Sequence, residues 1–374
     1  MSYYILPKSN NNIFINTTST SHAINPYISH SLLNYYNECK TIITSLCGDI
    51  HTFAEIIKLT NPHEYVFSKV PGSKFSVSKL KTKTNMFYDL LEIHTTLDVF
   101  SNMTNTDTNK KNQFLHIGVN SEDSVRCSST IRDEYNSDIH CSFPEINNEL
   151  YKNISDSRFD FIFYEIDLNH CTLENCESVN SNLYAIQFIK FIMIILKNQS
   201  SNGSCIIKIH SNFYKPMTDG LYILSSLFEK VYIIKPNTSN IMTFDKYIVC
   251  KNFILDDTKM KFNKTNYLNM YSFLRNFNSK HHISSLIDVD IPSYFINKID
   301  DSNIIIGQQQ LETFDQLITI LNNKNRHDKI DLIKKTNIQK SVAWCEKYKI
   351  PCNKFSEKTN IFLPLDEERL GGDV

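Results

Sequence analysis

One lysine lies inside an apolar run that predicts a buried strand. The run is "GSCIIKI", residues 203–209, and the lysine is Lys208. An ammonium group in such a strand loses its hydration, so it must find a compensating partner or emerge at the end of the strand. Two interpretations are open from this stretch alone: a lysine at an exposed strand tip, or a buried amine retained for its chemistry.

A second group of candidate residues is strongly basic. The segment "SKVPGSKFSVSKLKTKTN" has no acidic residue between Tyr65 and Tyr88, and it carries Lys69, Lys74, Lys79, Lys81 and Lys83. Interleaved aromatic residues would stack bases while the lysines meet phosphates; they are Phe67, Phe75 and Tyr88. The alternative is a solvated loop beside aromatic side chains of the core.

Composition and charge limit the classes of protein that need to be considered. With 374 residues, 41% of them hydrophobic, the chain can bury a substantial core. Its formal net charge is −1, so any nucleic-acid site must be a local basic patch. The 10 cysteines form no CxxC pair and no zinc-site spacing, which favours reduced thiols and no metal.

Two further features bear on the location of the protein. The amino terminus, "MSYYILPKSNNN", lacks the pattern of a signal peptide. The most apolar segment, "FIKFIMIILK", is too short to span a bilayer. The bias toward asparagine, isoleucine, lysine and tyrosine suggests an AT-rich genome. We therefore expect an intracellular protein without a membrane partner, in the host cytoplasm or the virion if it is viral.

From Phe114 onward, strand and helix patterns alternate. Strands are predicted at "FLHIG", "FDFIFYEI", "SCIIKI", "VYIIK" and "KYIVCKNF", and one intervening helix, "TDGLYILSSLFEK", has Thr218 or Asp219 as its expected cap. This alternation favours an α/β fold with a parallel sheet, in which the last two strands pair antiparallel. We expect this domain at 61–255, between mostly helical extensions at 1–60 and 256–374.

The second half of this domain carries a family resemblance. Lys208 is followed by Phe228 and Val231, and then by the loop and strand residues Lys235, Pro236, Ser239, Asp245, Tyr247 and Cys250. This order and spacing resemble an FtsJ-type ribose 2′-O-methyltransferase of the viral and eukaryotic mRNA cap type. Weaker similarities lie upstream in "NPHEY" and "SVSKL", and downstream in "SVAWCEKYKIPCN".

The resemblance implies a class I, Rossmann-like methyltransferase fold and a K-D-K-E tetrad around the ribose hydroxyl. Lys208 matches the lysine that acts as the base or steers the hydroxyl toward the methyl group of S-adenosylmethionine. Glu165 and Asp245 match the two acids, whereas Asp89 stands where the first lysine should be. Asp89 would pair with Lys208 and raise its pKa, unless Lys81 or Lys83 supplies the missing cation.

The cofactor turn also departs from the family pattern. The resemblance implies that Gly118 and Glu165 bind the cofactor, but the glycine-rich turn reads "FLHIGVNSEDSV". Ser121, Glu122 and Asp123 bring bulk and charge that oppose unmodified cofactor binding. The alternative is an ordinary turn into a helix that starts with serine and two acids.

Three functions remain open. The first is an RNA 2′-O-methyltransferase that acts on mRNA caps, with S-adenosylmethionine as cofactor and RNA held by Lys69, Lys79, Lys81, Lys83, Lys235 and Ser239. The second is a non-catalytic relative that serves as an RNA-binding or stimulatory subunit of a capping complex. The third is an unrelated small-molecule α/β enzyme, although the chain has no phosphate loop or nucleophile motif. DNA is not expected as a partner.

Overall fold

The structure is a computed structural model that describes residues 2–9, 12–47, 58–103, 111–133, 138–155, 157–166, 176–322 and 327–353. Nine strands lie in these ranges: β1 Ser2–Leu6, β2 Ile15–Thr20, β3 Gln113–Ile117, β4 Ile139–Phe143, β5 Phe159–Glu165, β6 Gln199–Ile209, β7 Phe228–Lys235, β8 Lys246–Phe253 and β9 His282–Ile287.

Nine α-helices and one short 3₁₀ turn, Glu64–Val66, accompany these strands within the described ranges. The helices are α1 His30–Cys47, α2 Met86–Leu97, α3 Ser121–Ile131, α4 Asn148–Asn153, α5 Cys176–Asn198, α6 Lys215–Leu227, α7 Asp257–Asn276, α8 Ser293–Asn322 and α9 His327–Lys347. No helix in the described part of the chain is long and apolar enough to cross a membrane.

The central sheet has seven strands in the order β1-β7-β8-β6-β5-β3-β4. Strands β4, β3, β5 and β6 are parallel, whereas β8 runs antiparallel to both β6 and β7. The predicted α/β class with a terminal antiparallel hairpin is therefore confirmed. This arrangement is that of a Rossmann-like methyltransferase sheet.

Both faces of this sheet are covered, which explains why its strands read as continuous apolar runs. Side chains alternate along a strand, so Ile162 and Tyr164 join the core on one face, with α5 and α6. Phe161 and Phe163 join the core on the other face, with α2 and α9. Trp344 of α9 is only 3% exposed and packs this helix onto the core.

Helix α6, which follows the Lys208 strand, starts earlier than expected. It begins at Lys215 with Pro216 in its first turn, so the predicted cap at Thr218 or Asp219 is wrong. Asp219 is fully buried and accepts hydrogen bonds from Ser285 Oγ at 2.6 Å and from the backbone N–H of Leu286 at 2.8 Å. The carboxylate therefore ties α6 to β9.

The two ends of the chain interleave with the central domain. Strand β1 pairs antiparallel with β7 at the edge of the large sheet, and β2 pairs antiparallel with β9 in a separate two-stranded sheet. Helix α1 lies against α8, where Leu32 contacts Gly307 closely enough to leave no room for a larger residue. The domain boundaries at 60 and 255 stay a prediction.

Candidate active site

The candidate site lies at the carboxyl ends of β5 and β6, where ligands bind in open α/β sheets. Glu165 ends β5 and stands beside Lys208 in the parallel register. Asp245 immediately precedes β8, and Asp89 lies on α2, which covers this end of the sheet. The charges of these residues act on Lys208, so the fold brings the four predicted tetrad positions together.

Lys208 is held by Glu165. The distance between Lys208 Nζ and Glu165 Oε1 is 3.1 Å, and the lysine side chain is 20% exposed. Burial by itself lowers the pKa of Lys208, but the carboxylates of Glu165, Asp245 and Asp89 together raise the pKa above its usual value. Lys208 is therefore an ammonium ion at neutral pH, and in this arrangement it does not provide a neutral base.

Asp89 makes its hydrogen bonds with other partners than Lys208. Its carboxylate accepts hydrogen bonds from the hydroxyls of Thr238 and Tyr247, the second at 3.0 Å. Burial raises the pKa of Asp89 to about 6, against the opposing effects of Thr238, Lys208 and Tyr247. Asp89 therefore raises the pKa of Lys208 through its charge and not through a direct ion pair. The hydrogen bonds of Asp89 instead hold the β7–β8 loop.

The proposed replacement cations lie elsewhere. Lys83 Nζ is 3.2 Å from Glu122 Oε2, in an ion pair on the surface, and Lys81 is also exposed. We find neither side chain among the causes that shift the pKa of Lys208.

Asp245 has a partner that sequence reasoning missed. Its Oδ1 atom is hydrogen-bonded to Nδ1 of His210, and this contact explains why the pKa of Asp245 is low despite burial. Burial alone raises this pKa, whereas His210, Lys208 and Lys235 lower it to about 2. The position of His210, two residues after Lys208, was the available signal, because residues i and i+2 of an extended chain share a face.

Lys235 and Ser239, both predicted to bind RNA, are buried at 8% and 5% exposure. Lys235 Nζ donates to the carbonyl oxygens of Thr243 and Asp245, each at 2.8 Å. The buried ammonium group therefore holds together the two ends of the β7–β8 loop. Contact of either residue with RNA stays a prediction.

Lys246, which the sequence did not single out, is fully buried beside this loop. Its Nζ atom donates to Asn212 Oδ1 at 3.1 Å and to Asn303 Oδ1 at 2.8 Å. Burial, helped by the charge of Lys235, lowers the pKa of Lys246 to about 7. The amine thus joins β8 to α8 at the cost of a large desolvation.

We expect the free energy of unfolding to rise between about pH 7 and pH 8.5. The folded pKa of Lys246, about 7, lies below its ordinary value of 10.5, so the unfolded chain holds more protons in this range. Lys235, with a folded pKa of about 8, acts in the same direction. Urea unfolding followed by Trp344 fluorescence measures the slope. Lys246→Met should reduce the slope of the free energy of unfolding against pH, and the exposed-site control Lys40→Met should not. Equal slopes for these two variants would show that Lys246 is not the source of the pH dependence.

The turn after β3 is packed against Glu165. Gly118 has a φ of +142°, and a Cβ atom added there would lie 2.7 Å from the Cβ of Glu165. Glu165 Oε2 accepts hydrogen bonds from the backbone N–H and the side-chain amide of Asn120, both at 3.1 Å. The carboxylate expected to assist the cofactor therefore covers the turn. With Glu165 in this position, the turn does not fit a bound S-adenosylmethionine.

The other polar residues of the turn are occupied at the start of α3. Ser121 Oγ accepts a hydrogen bond from Ser142 Oγ at 2.8 Å. Asp123 is buried and accepts from the backbone N–H groups of Lys83 and Thr84 at 3.1 and 2.6 Å. These contacts agree with the alternative of an acidic turn into a helix, and they fasten the basic segment beside the site.

Within the basic segment, Lys69, Lys79 and Lys81 are exposed. Two of its aromatic residues are also accessible, since Phe75 is 60% exposed and Phe67 is 37% exposed. Tyr88 is fully buried against Trp344, so its predicted role in stacking a base is wrong. Helical position explains this result, because α2 turns that face toward the sheet.

The sheet order and the lysine with its carboxylates at the strand ends define a Rossmann-like methyltransferase-fold protein. No protein-family profile matches the sequence. The chain is 27% identical over 126 residues, 33% of its length, to a cap-specific mRNA (nucleoside-2′-O-)-methyltransferase 1 of Dictyostelium discoideum. It is 27% identical over 142 residues, 36% of its length, to the protein of the same name from Drosophila melanogaster.

These matches span only 16% and 17% of the lengths of the two relatives. Among solved structures, the chain is similar to a ribosomal RNA methyltransferase from Plasmodium falciparum, with a TM-score of 0.34 and 15% identity. That match covers 46% of this chain and 100% of the other, and a likeness this weak adds nothing to the topology. The sequence similarity is therefore to a small part of two RNA methyltransferases.

Proposed function

We propose that this protein acts in ribose methylation of mRNA caps as an RNA-binding subunit whose own methyl-transfer site is closed. The observation that carries the proposal is the position of Glu165. One carboxylate pairs with Lys208 and also occupies the backbone N–H of Asn120 in the cofactor turn. A charged Lys208 cannot act as a general base, and the covered turn leaves no open place for the methyl donor.

The proposed RNA role rests on the basic segment next to this site. Its exposed lysines, among them Lys69, Lys79 and Lys81, supply phosphate contacts, and two exposed phenylalanines supply stacking surfaces. Asp123 joins the segment to the start of α3, and Asn85 donates to the carbonyl oxygen of Thr238 in the β7–β8 loop. The names of the sequence relatives favour capped mRNA as the RNA. A capping complex is the setting that we propose for such a subunit.

A second candidate is an active S-adenosylmethionine-dependent cap 2′-O-methyltransferase. The observation that favours it is the convergence of Lys208, Glu165 and Asp245 at the strand ends. In that case Glu165 must swing away from the turn when the cofactor binds.

Calorimetric titration with S-adenosylmethionine and S-adenosylhomocysteine separates the two candidates. The non-catalytic function predicts no detectable heat with either ligand, while capped RNA still binds. Micromolar affinity for the cofactor, followed by methyl transfer to capped RNA, would refute that function and establish the enzyme. Loss of transfer in Lys208→Ala, with RNA binding intact, would then assign the lysine.

Neutralising the basic segment is expected to weaken RNA binding and flatten its salt dependence. For Lys69→Gln, Lys79→Gln and Lys81→Gln combined, the slope of log K against log salt should fall by about 2, since each contact to single-stranded RNA contributes about 0.7. Fluorescence anisotropy over a salt series measures the slope. The control combines three exposed lysines of other helices: Lys40→Gln, Lys329→Gln and Lys340→Gln. A slope equal to that of the control would remove the segment from the RNA site.

A further inference from the structure

A groove runs along α7 on the face of the sheet covered by α5. Two adjoining cavities, of about 430 and 780 Å³, form it, and they share Lys197 and Tyr267. The first cavity reaches Arg158 at the start of β5, and the second reaches Lys152 at the end of α4. We call this surface the α7 groove.

Its charge is of one sign. Four cationic side chains line each cavity, with Lys197 common to both, and no acidic residue is among the described residues that line them. The cations are Lys152, Arg158, Lys190, Lys197, Lys261, Lys264 and Arg275. None forms an ion pair with another described residue. In a chain of net charge −1, this concentration selects a polyanion.

The floor of the groove is apolar and aromatic. Tyr267 and Tyr271 lie one helical turn apart with their rings nearly parallel, at 9° and a centroid distance of 6.4 Å. Tyr271 is 51% exposed, and Leu268 and Met260 of the same helix are 52% and 46% exposed. The exposed ring of Tyr271, parallel to the half-buried ring of Tyr267, offers a stacking surface to unpaired bases, and the cations on either side offer phosphate contacts.

The groove is separate from the Lys208 site. Arg158 precedes β5 and Glu165 ends it, so seven residues of extended strand, about 23 Å, lie between the two places. The groove itself extends from Met260 to Arg275, about 22 Å of helix, which matches six or seven stacked nucleotides at about 3.4 Å each.

We propose that the α7 groove binds single-stranded RNA. The choice of RNA rests on the proposed function, whereas the groove itself is defined by its own charge and rings. An acidic protein segment would satisfy the lysines but would leave the exposed ring of Tyr271 without a stacking partner. The groove thus extends the RNA path from the Lys208 end of the sheet to the opposite end.

Photo-crosslinking of the full chain tests this placement directly. A 12-nucleotide oligouridylate that contains 4-thiouridine is irradiated with the protein, and the crosslinked peptides are mapped. We expect crosslinks within 255–275. Crosslinks confined to 65–88 would overturn the groove and leave the proposed function standing, whereas failure of any RNA to bind would overturn both.

Matched variants give the energetic test by anisotropy with the same oligonucleotide. Lys190→Gln, Lys197→Gln and Lys264→Gln combined should weaken binding at least ten-fold, while the Lys40, Lys329 and Lys340 control leaves it unchanged. Tyr271→Leu should weaken binding, and Tyr271→Phe should retain it because the ring remains. Thermal unfolding checks that the variants are folded. Equal affinities of the groove variants and the control would overturn the proposal.

Discussion

The Glu165→Ala protein is expected to bind S-adenosylhomocysteine at least ten-fold more tightly than the unsubstituted protein. The substitution frees the backbone N–H of Asn120 and removes the side chain that lies against Gly118. A hydrogen bond to a charged group is worth about 1.5–3 kcal/mol, so one backbone N–H released from Glu165 and made available to a ligand corresponds to a ten-fold effect or more. Calorimetry on the two proteins tests this, with heat of binding expected from Glu165→Ala and no detectable heat from the unsubstituted protein.

Glu38→Ala is the matched control, because it removes an exposed carboxylate on α1, outside the Gly118 turn. Its affinity should equal that of the unsubstituted protein. If Glu165→Ala and Glu38→Ala bind alike, the carboxylate of Glu165 is not what closes the site. Tight binding by the unsubstituted protein would show that Glu165 yields to the ligand.

Replacing Asp219 by alanine is expected to lower the free energy of unfolding by about 2–5 kcal/mol. The buried carboxylate accepts from the backbone N–H of Leu286, the hydroxyl of Ser285 and the ammonium of Lys215. Each buried donor that loses its acceptor costs about 1–3 kcal/mol. Urea unfolding, extrapolated to water, measures the loss.

Two further variants serve as controls for Asp219→Ala. Asp219→Asn keeps one acceptor oxygen and should lose less stability than Asp219→Ala. Asp301→Ala, at an exposed position of α8, should change stability by less than about 0.5 kcal/mol. Were Asp219→Ala no less stable than Asp301→Ala, the attachment of α6 to β9 would not depend on this carboxylate.

The strands of the central sheet were predictable because both of their faces are buried. Runs such as "FDFIFYE" are almost continuously apolar, which is typical of strands buried on both faces. Because no helix separates β7 from β8, these two strands were expected to pair antiparallel. Strand β1 was not predictable. Its five residues carry no turn signal, and its partner lies more than two hundred positions later in the chain.

Local signals misled the prediction where two of them competed. Thr218 and Asp219 are residue types that cap helices, but Pro216 marks the true first turn of α6. Tyr88 looked like part of a basic, aromatic surface because it follows the lysines in sequence. The helix that starts at Met86 turns it inward instead.

Some features of the candidate site were predictable from the sequence, and others were not. The positions of Lys208, Glu165 and Asp245 followed from the family resemblance, since strand order places them together. The hydrogen bond from Asn120 to Glu165 did not follow, because it depends on the reach of one additional methylene group across a turn. Lys246 was hidden because its partners, Asn212 and Asn303, lie on other elements.

The pairing of β1 with β7 and of β2 with β9 has a consequence for how the chain is made. Ser2 pairs with Lys235, and Ile15 pairs with Ile287. At synthesis rates of about 5–20 residues per second, the first strand waits roughly 10–50 seconds for its partner to leave the ribosome. During that time Tyr3, Tyr4 and Ile5 have no sheet edge to cover. The edge of the large sheet and the small sheet therefore close only when translation is well advanced.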